Sequence, residues 1–141
     1  MNKRKVWVVT GSRAEYGLFY PILIKIQESN NLELQLICTS SHLSSEYGLT
    51  YKEIENDGFS IDDKIKNLSL IDTKLSIVKS SGLATSLISD SFDKLKPDVV
   101  LLLGDRYETH AAATAALLMN IPIAHIHGGE ITEGAVDEQI R

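Results

Sequence analysis

The chain has one cysteine, three prolines and no long apolar run, and each shortage excludes something. A single thiol cannot close an intrachain disulfide, and Cys38 lies in the apolar run "LELQLICTS", where it reads as a buried strand residue. With so little proline, 43% hydrophobic and 23% charged residues, the composition is that of a globular chain with a packed core and not of a disordered or fibrous one. No stretch approaches the roughly 18 apolar residues that a membrane span needs. The short "VWVVTG" behind the basic "KRK" meets polar residues too soon to be a signal peptide. These shortages together predict a cytoplasmic protein with no membrane contact. Basic charge is scarce as well: the net charge of -5, with lysines and arginines scattered beyond "KRK", offers no field for nucleic acid.

What is present is an alternation. At 141 residues the chain fits one ordinary domain. The β-branched run from Lys5 to Gly11 reads as a buried strand closed by a turn. In "AEYGLFYPILIKIQESNN", Leu18, Ile22, Leu23 and Ile26 recur at helical spacing, with Pro21 expected near the first turn. Leu32–Ser40 is a second strand, followed by a short helix across "LTYKEIENDG" and a third strand near "FSIDDKI". From Asp72, a good N-cap, to Lys96 the pattern Leu75, Val78, Leu83, Leu87, Ile88, Phe92, Leu95 predicts a long amphipathic helix stopped by Pro97. "DVVLLLGD" is continuously apolar, as a central parallel strand covered on both faces should be. The alanine-rich "ETHAAATAALLMN" predicts a close-packing helix, "IPIAHIHGG" a further strand and "TEGAVDEQIR" the start of another helix. Such alternation specifies an α/β fold with an open, doubly wound parallel sheet.

Ligands bind such sheets outside the carboxyl ends of the strands. The loops expected there, "GSRAEYG", "TSSHLSSEYG", "GDRYE" and "HGGEITEGAVDE", offer Arg13, Glu15, His42, Asp105, Arg106, Glu108, His127, Glu130 and Asp137 to one crevice. "GSRAEYG" lacks the spacing of a dinucleotide fingerprint and the lysine of a P-loop, so it is either a structural turn or an anion seat at a helix N-terminus with Arg13 adding charge. Asp105, next to a buried strand, is either a general base with a raised pKa or a helix cap. Arg106 has Asp105 and Glu108 as candidate partners. His125 and His127 point the same way from one strand, and with Asp105 they open a metal-hydrolase reading, although one of the pair is better explained as a core or supporting histidine. His110 reads as a surface or packing residue, and Gly128 and Gly129 as a tight turn or a close approach.

"GSRAEYG", "SSHLSSEYGLTYKEIENDGF", "LKPDVVLLLGDRYE" and "AAATAALLMNIPIAHIHGGEITEGAVDEQIR", in this order, resemble the N-terminal half of the hydrolysing UDP-N-acetylglucosamine 2-epimerases that begin sialic acid synthesis. The resemblance covers essentially the whole chain. It implies a two-domain, glycosyltransferase-type arrangement of Rossmann-like halves, in which residues 1–141 are the N-terminal one and a C-terminal domain, absent from this chain, holds much of the UDP. The reaction implied is anti elimination of UDP to a 2-acetamidoglucal, then hydration to free N-acetylmannosamine, with no cofactor and no metal. The 141-residue chain alone is then expected to have little activity, and relatives of this kind are often homo-oligomers. Residue by residue, Asp105 and Asp137 match family carboxylates, Arg13 matches a nucleotide-side residue, and His42 lies in a motif near the sugar. Where the compared pattern often has a third acid this sequence has His127, so His127 or Glu130 takes that role. The histidine form also resembles relatives acting on UDP-N,N'-diacetylbacillosamine, which makes that sugar the alternative substrate. The expected catalytic set is Asp105, Asp137, His127 and Glu130, and the expected substrate-binding set Arg13, Glu15, His42 and Arg106. A non-catalytic nucleotide-sugar binding domain is the reading from another class.

Overall fold

The computed structural model describes residues 2–44, 48–66, 73–104 and 106–128. Five strands, β1 (Arg4–Thr10), β2 (Leu32–Thr39), β3 (Asp63–Ile65), β4 (Val99–Leu103) and β5 (Ile123–Ile126), alternate with helices α1 (Arg13–Glu28), α2 (Tyr51–Asn56), α3 (Lys74–Leu95) and α4 (Tyr107–Leu118). All strand pairs are parallel and the order is β3-β2-β1-β4-β5, a Rossmann-like doubly wound sheet. The chain direction across the sheet reverses between β1 and β4. That pair of strand ends is where such folds leave a crevice.

Side chains alternate across the sheet and build one core on each face. On one face Trp7, Val9, Ile37, Ile65, Val100 and Leu102 meet α3 through Ala84, Ile88 and Phe92 and α4 through Ala111, Ala112, Ala115 and Ala116. The alanines let α4 approach both sheet and α3 closely. Trp7 packs edge-on against Phe92, with ring centroids 4.7 Å apart, and its indole N–H donates to Ser91 Oγ at 3.2 Å. The other face joins Val6, Val8, Leu36, Cys38 and Leu103 to Tyr16, Phe19, Leu23 and Ile26 of α1 and to Ile54 of α2. Each such fully buried apolar side chain contributes roughly 1.5–3 kcal/mol. Burial pushes the Cys38 thiol up to about 12, which makes it an inert core residue.

The helices depart from the sequence pattern in four places. The buried stripe of α1 is Tyr16, Phe19, Leu23 and Ile26, whereas Leu18 is exposed, because the aromatic rings fill the space above β1 and β2. Pro21 lies inside α1 and not in its first turn, since Ser12 caps the helix and starts it at Arg13. Its missing N–H falls on an exposed position, where water can serve the carbonyl left unpaired. In α3 the core face is Ser80, Ala84, Ile88, Ser91 and Phe92, while Leu75, Val78 and Leu83 are exposed. The cap of α3 is Thr73, whose hydroxyl accepts from the Ser76 N–H; Asp72 lies outside the described residues. Among the described residues no helix is long and apolar enough to cross a membrane.

Candidate functional site

The turn from β1 into α1 carries the first half of the site. Ser12 Oγ accepts from the Glu15 N–H, and the Ser12 hydroxyl donates back to the Glu15 carboxylate, both at 3.3 Å. This S-x-x-E pair is a helix-start signature, and it aims the Glu15 carboxyl at the crevice between β1 and β4. From the other side, the turn after β4 brings Arg106 and Glu108. Arg106 Nε lies 3.2 Å from Glu108 Oε2 and 3.6 Å from Glu15 Oε1. Glu108 is buried and Glu15 nearly so, while Arg106 keeps much of its surface open. The strand ends approach so closely that a Cβ on Gly11 would stand 3.3 Å from both Glu15 Oε1 and Thr39 Oγ1 and 3.6 Å from Glu108 Cδ.

Two carboxylates around one guanidinium leave a charge to be resolved. Burial pushes the Glu15 carboxyl up to about 7, against the pull of Arg106 and helped by Glu108. Near neutrality Glu15 therefore exchanges a proton readily. The same crevice thus holds a donor or acceptor of protons and a cation suited to phosphate oxygens.

His42 sits beside this group and is fully buried. It lies in the short 3-10 turn after β2, with Nε2 2.9 Å from Thr10 Oγ1 and Nδ1 2.8 Å from Thr50 Oγ1. The Thr10 hydroxyl is committed to the Ser12 carbonyl at 3.3 Å, so Nε2 carries the hydrogen and Nδ1 accepts from Thr50. Burial lowers its pKa to about 4, the Ser12 backbone opposing and Arg106 adding to the effect. His42 is thus a neutral tie between the β1 turn and the start of α2, with both ring nitrogens occupied. Arg13 pairs with Glu53 at 3.3 Å, with both side chains largely in solvent.

The β5 end supplies the last described part. His127 follows the strand with a φ of 61°, a left-handed conformation that costs a non-glycine residue about 1–2 kcal/mol. The His125 ring turns back toward β4, its Nε2 2.7 Å from the Gly104 carbonyl. His110 is exposed on α4. Asp105, Glu130 and Asp137, and the helix expected across "TEGAVDEQIR", lie outside the described residues. Among the described residues no three His, Cys, Asp or Glu side chains converge as a metal cluster would.

The described structure thus brings Glu15, Arg106 and Glu108 together, buries His42 behind them and leaves Arg13 at the rim. Sequence reasoning missed the pairing of Glu15 with Arg106 and the role of Thr10 and Thr50. The S-x-x-E spacing at Ser12 was the available signal for Glu15.

A family model described as UDP-N-acetylglucosamine 2-epimerase matches residues 24–141. Over 141 residues the chain is 50% identical to the GDP/UDP-N,N'-diacetylbacillosamine 2-epimerase (hydrolyzing) of Campylobacter jejuni, a match covering 100% of this chain and 36% of that protein. It is 41% identical to the UDP-N,N'-diacetylbacillosamine 2-epimerase (hydrolyzing) of Legionella pneumophila, covering 98% of this chain and 36% of that protein. It is 33% identical to the UDP-N-acetylglucosamine 2-epimerase of Neisseria meningitidis serogroup B, covering 98% and 36% respectively. Among solved structures, the UDP-GlcNAc 2-epimerase of Neisseria meningitidis bound to UDP-GlcNAc superposes with a TM-score of 0.80 at 25% identity, covering 97% of this chain and 37% of that one. The chain spans about a third of the length of the curated relatives it matches.

Proposed function

The chain belongs to the UDP-N-acetylglucosamine 2-epimerase family, and on that footing we propose that it is the N-terminal, sugar-side domain of a hydrolysing UDP-2-acetamido-sugar 2-epimerase, completed by a C-terminal nucleotide-binding domain. The observation that carries the proposal is the group at the topological switch point, where Arg106 is held between Glu15 and Glu108. Elimination of UDP needs a base for a weakly acidic C–H and a cation for the leaving diphosphate. Asp105, Asp137, His127 and Glu130 are the proposed proton-transfer residues. Arg13, Arg106 and Glu15 are the proposed binding residues, with Glu15 also able to exchange a proton, and His42 acts by holding the turn that carries Ser12 and Arg13.

The proposed reaction releases UDP and a free 2-epimeric sugar. The C2–H pair becomes the C1–C2 double bond as UDP leaves with the C1–O pair, and water then adds, its oxygen to C1 and a proton to the other face of C2, so no redox cofactor is needed. For the substrate, the identities of 50% and 41% to the two diacetylbacillosamine epimerases favour UDP-N,N'-diacetylbacillosamine. UDP-N-acetylglucosamine, converted to N-acetylmannosamine, is the reading supported by the family description and by the Neisseria relative. The test is to offer both UDP-sugars to the full-length protein, follow UDP release and identify the free sugar by NMR. Asp105→Asn or Asp137→Asn should abolish release; wild-type rates in both variants would sink the proposal. A homo-oligomer in the cytoplasm fits the proposal, and light scattering of the full-length protein tests the assembly.

A further inference from the structure

We propose that His125 is a positioning residue for the catalytic turn after β4, and that Gly128 is a glycine so that His125 can do this; the inference rests on the epimerase reading above. The Gly104 carbonyl belongs to the peptide that leads into Asp105. Gly104 has a φ of 79°, a region where glycine is free to move and little local preference holds the peptide plane. Bonds from β5 hold the peptides on both sides of Gly104, and the one into Asp105 is held by His125. The Gly104 N–H donates to the Ile126 carbonyl at 3.0 Å, and the Gly104 carbonyl accepts from His125 Nε2 at 2.7 Å. A carbonyl only accepts, so Nε2 carries the hydrogen in the neutral and in the protonated ring alike.

The far side of the ring explains Gly128. A Cβ there would overlap His125 Nδ1 and lie 2.8 Å from Cγ and 2.9 Å from Cε1. The Gly128 φ lies outside the left-handed region, so what this position requires is the missing side chain and not backbone freedom. One imidazole is therefore gripped between the Gly104 carbonyl and the Gly128 backbone. A shift of the ring displaces the peptide entering Asp105, and displacement of a reacting group by about 1 Å costs up to about a hundredfold in rate.

Full-length variants separate this role from packing and from folding. His125→Phe keeps a ring and loses the donor, and His125→Gln keeps an N–H at similar reach and loses the ring. Gly128→Ala pushes on the ring from behind. Rates are expressed per UDP-binding site counted by calorimetry, so that loss of folded protein does not count as loss of kcat. The expected result is a kcat roughly ten- to a hundredfold lower in His125→Phe and Gly128→Ala, with KM little changed and the acidic limb of the kcat/KM profile displaced. His125→Gln should recover most of the rate. A wild-type kcat per site in His125→Phe, or a Gln variant as slow as the Phe variant, overturns the inference while leaving the epimerase reading intact. If His125→Phe does not fold, Gly128→Ala decides alone, and a wild-type kcat there overturns it. A wild-type protein that releases no UDP from either sugar overturns the reading and the inference with it.

Discussion

Replacing Glu15 by glutamine should reveal a pH dependence of stability that the wild-type protein hides. His42 is fully buried and its pKa falls from the ordinary 6.5 to about 4. As pH drops from 6.5 toward 4 the unfolded chain takes up a proton that folded His42 refuses, so stability is lost on acidification. Glu15 behaves in the opposite sense: raised from 4.5 to about 7, it binds a proton in the fold at a pH where the unfolded carboxyl has released it. Its contribution is complete below 4.5 and disappears as pH rises through 7. Each group changes stability by up to about 1.4 kcal/mol per pH unit, or about 3 kcal/mol across its own window. In the shared window from about 4.5 to 6.5 the two slopes nearly cancel. Glu15→Gln removes one of them, leaving His42 to give stability that rises by about 1 kcal/mol or more per unit from pH 4.5 to 6.5. His42→Gln should leave the reverse slope. Urea unfolding followed by Trp7, the chain's only tryptophan, measures both. The raised pKa of Asp62 is common to every variant and drops out of the differences. Identical slopes in Glu15→Gln and wild type would refute the reasoning.

Other perturbations have equally definite expected outcomes. Gly104→Ala meets no atom within 4 Å but keeps a φ of 79°, so urea unfolding should show a loss of roughly 1–2 kcal/mol from backbone strain alone. Gly17→Ala, in open space on α1, should instead gain about 0.5–1 kcal/mol in the same assay. Ser91→Ala strips the buried Trp7 N–H of its acceptor and should cost about 1–3 kcal/mol, with a shift in Trp7 fluorescence. Arg13→Ala breaks only an exposed pair with Glu53, so stability should change by less than about 1 kcal/mol. The same variant should lose tenfold or more in UDP affinity by calorimetry, and an unchanged affinity would remove Arg13 from the binding set.

The sheet was legible because its strands are chemically uniform. A run such as "VVLLL" has only one comfortable place, between two layers of helices, and the parallel order follows from the helices that intervene. Helix faces were less legible. In α3 the larger side chains Leu75, Val78 and Leu83 dominate the apolar pattern, but the buried face includes the small Ser80, Ala84 and Ser91, which a pattern of large apolar residues passes over. In α1 the expected Leu23 and Ile26 are buried, but the aromatic Tyr16 and Phe19 join them in the core where Leu18 was expected.

At the site, residue types were legible and partnerships were not. Arg106 follows β4 and Glu15 follows β1, and nothing local in either loop states that the two strands are neighbours; that fact belongs to the strand order. His42 illustrates the same gap from the other side. A histidine in a polar loop beyond a strand looks ligand-facing, yet the loop folds inward and the ring finds hydroxyls on Thr10 and Thr50. Such burial is tolerable only because both nitrogens are satisfied, since an unpaired buried polar group costs about 1–3 kcal/mol. The two threonines were therefore the decisive residues, and neither stands out in its own segment. His125 follows the same logic. Its neighbour His127 draws attention by standing where an acid is often found, but it is His125 whose ring is tied to the Gly104 carbonyl just beyond β4, and only the register of the two strands discloses it.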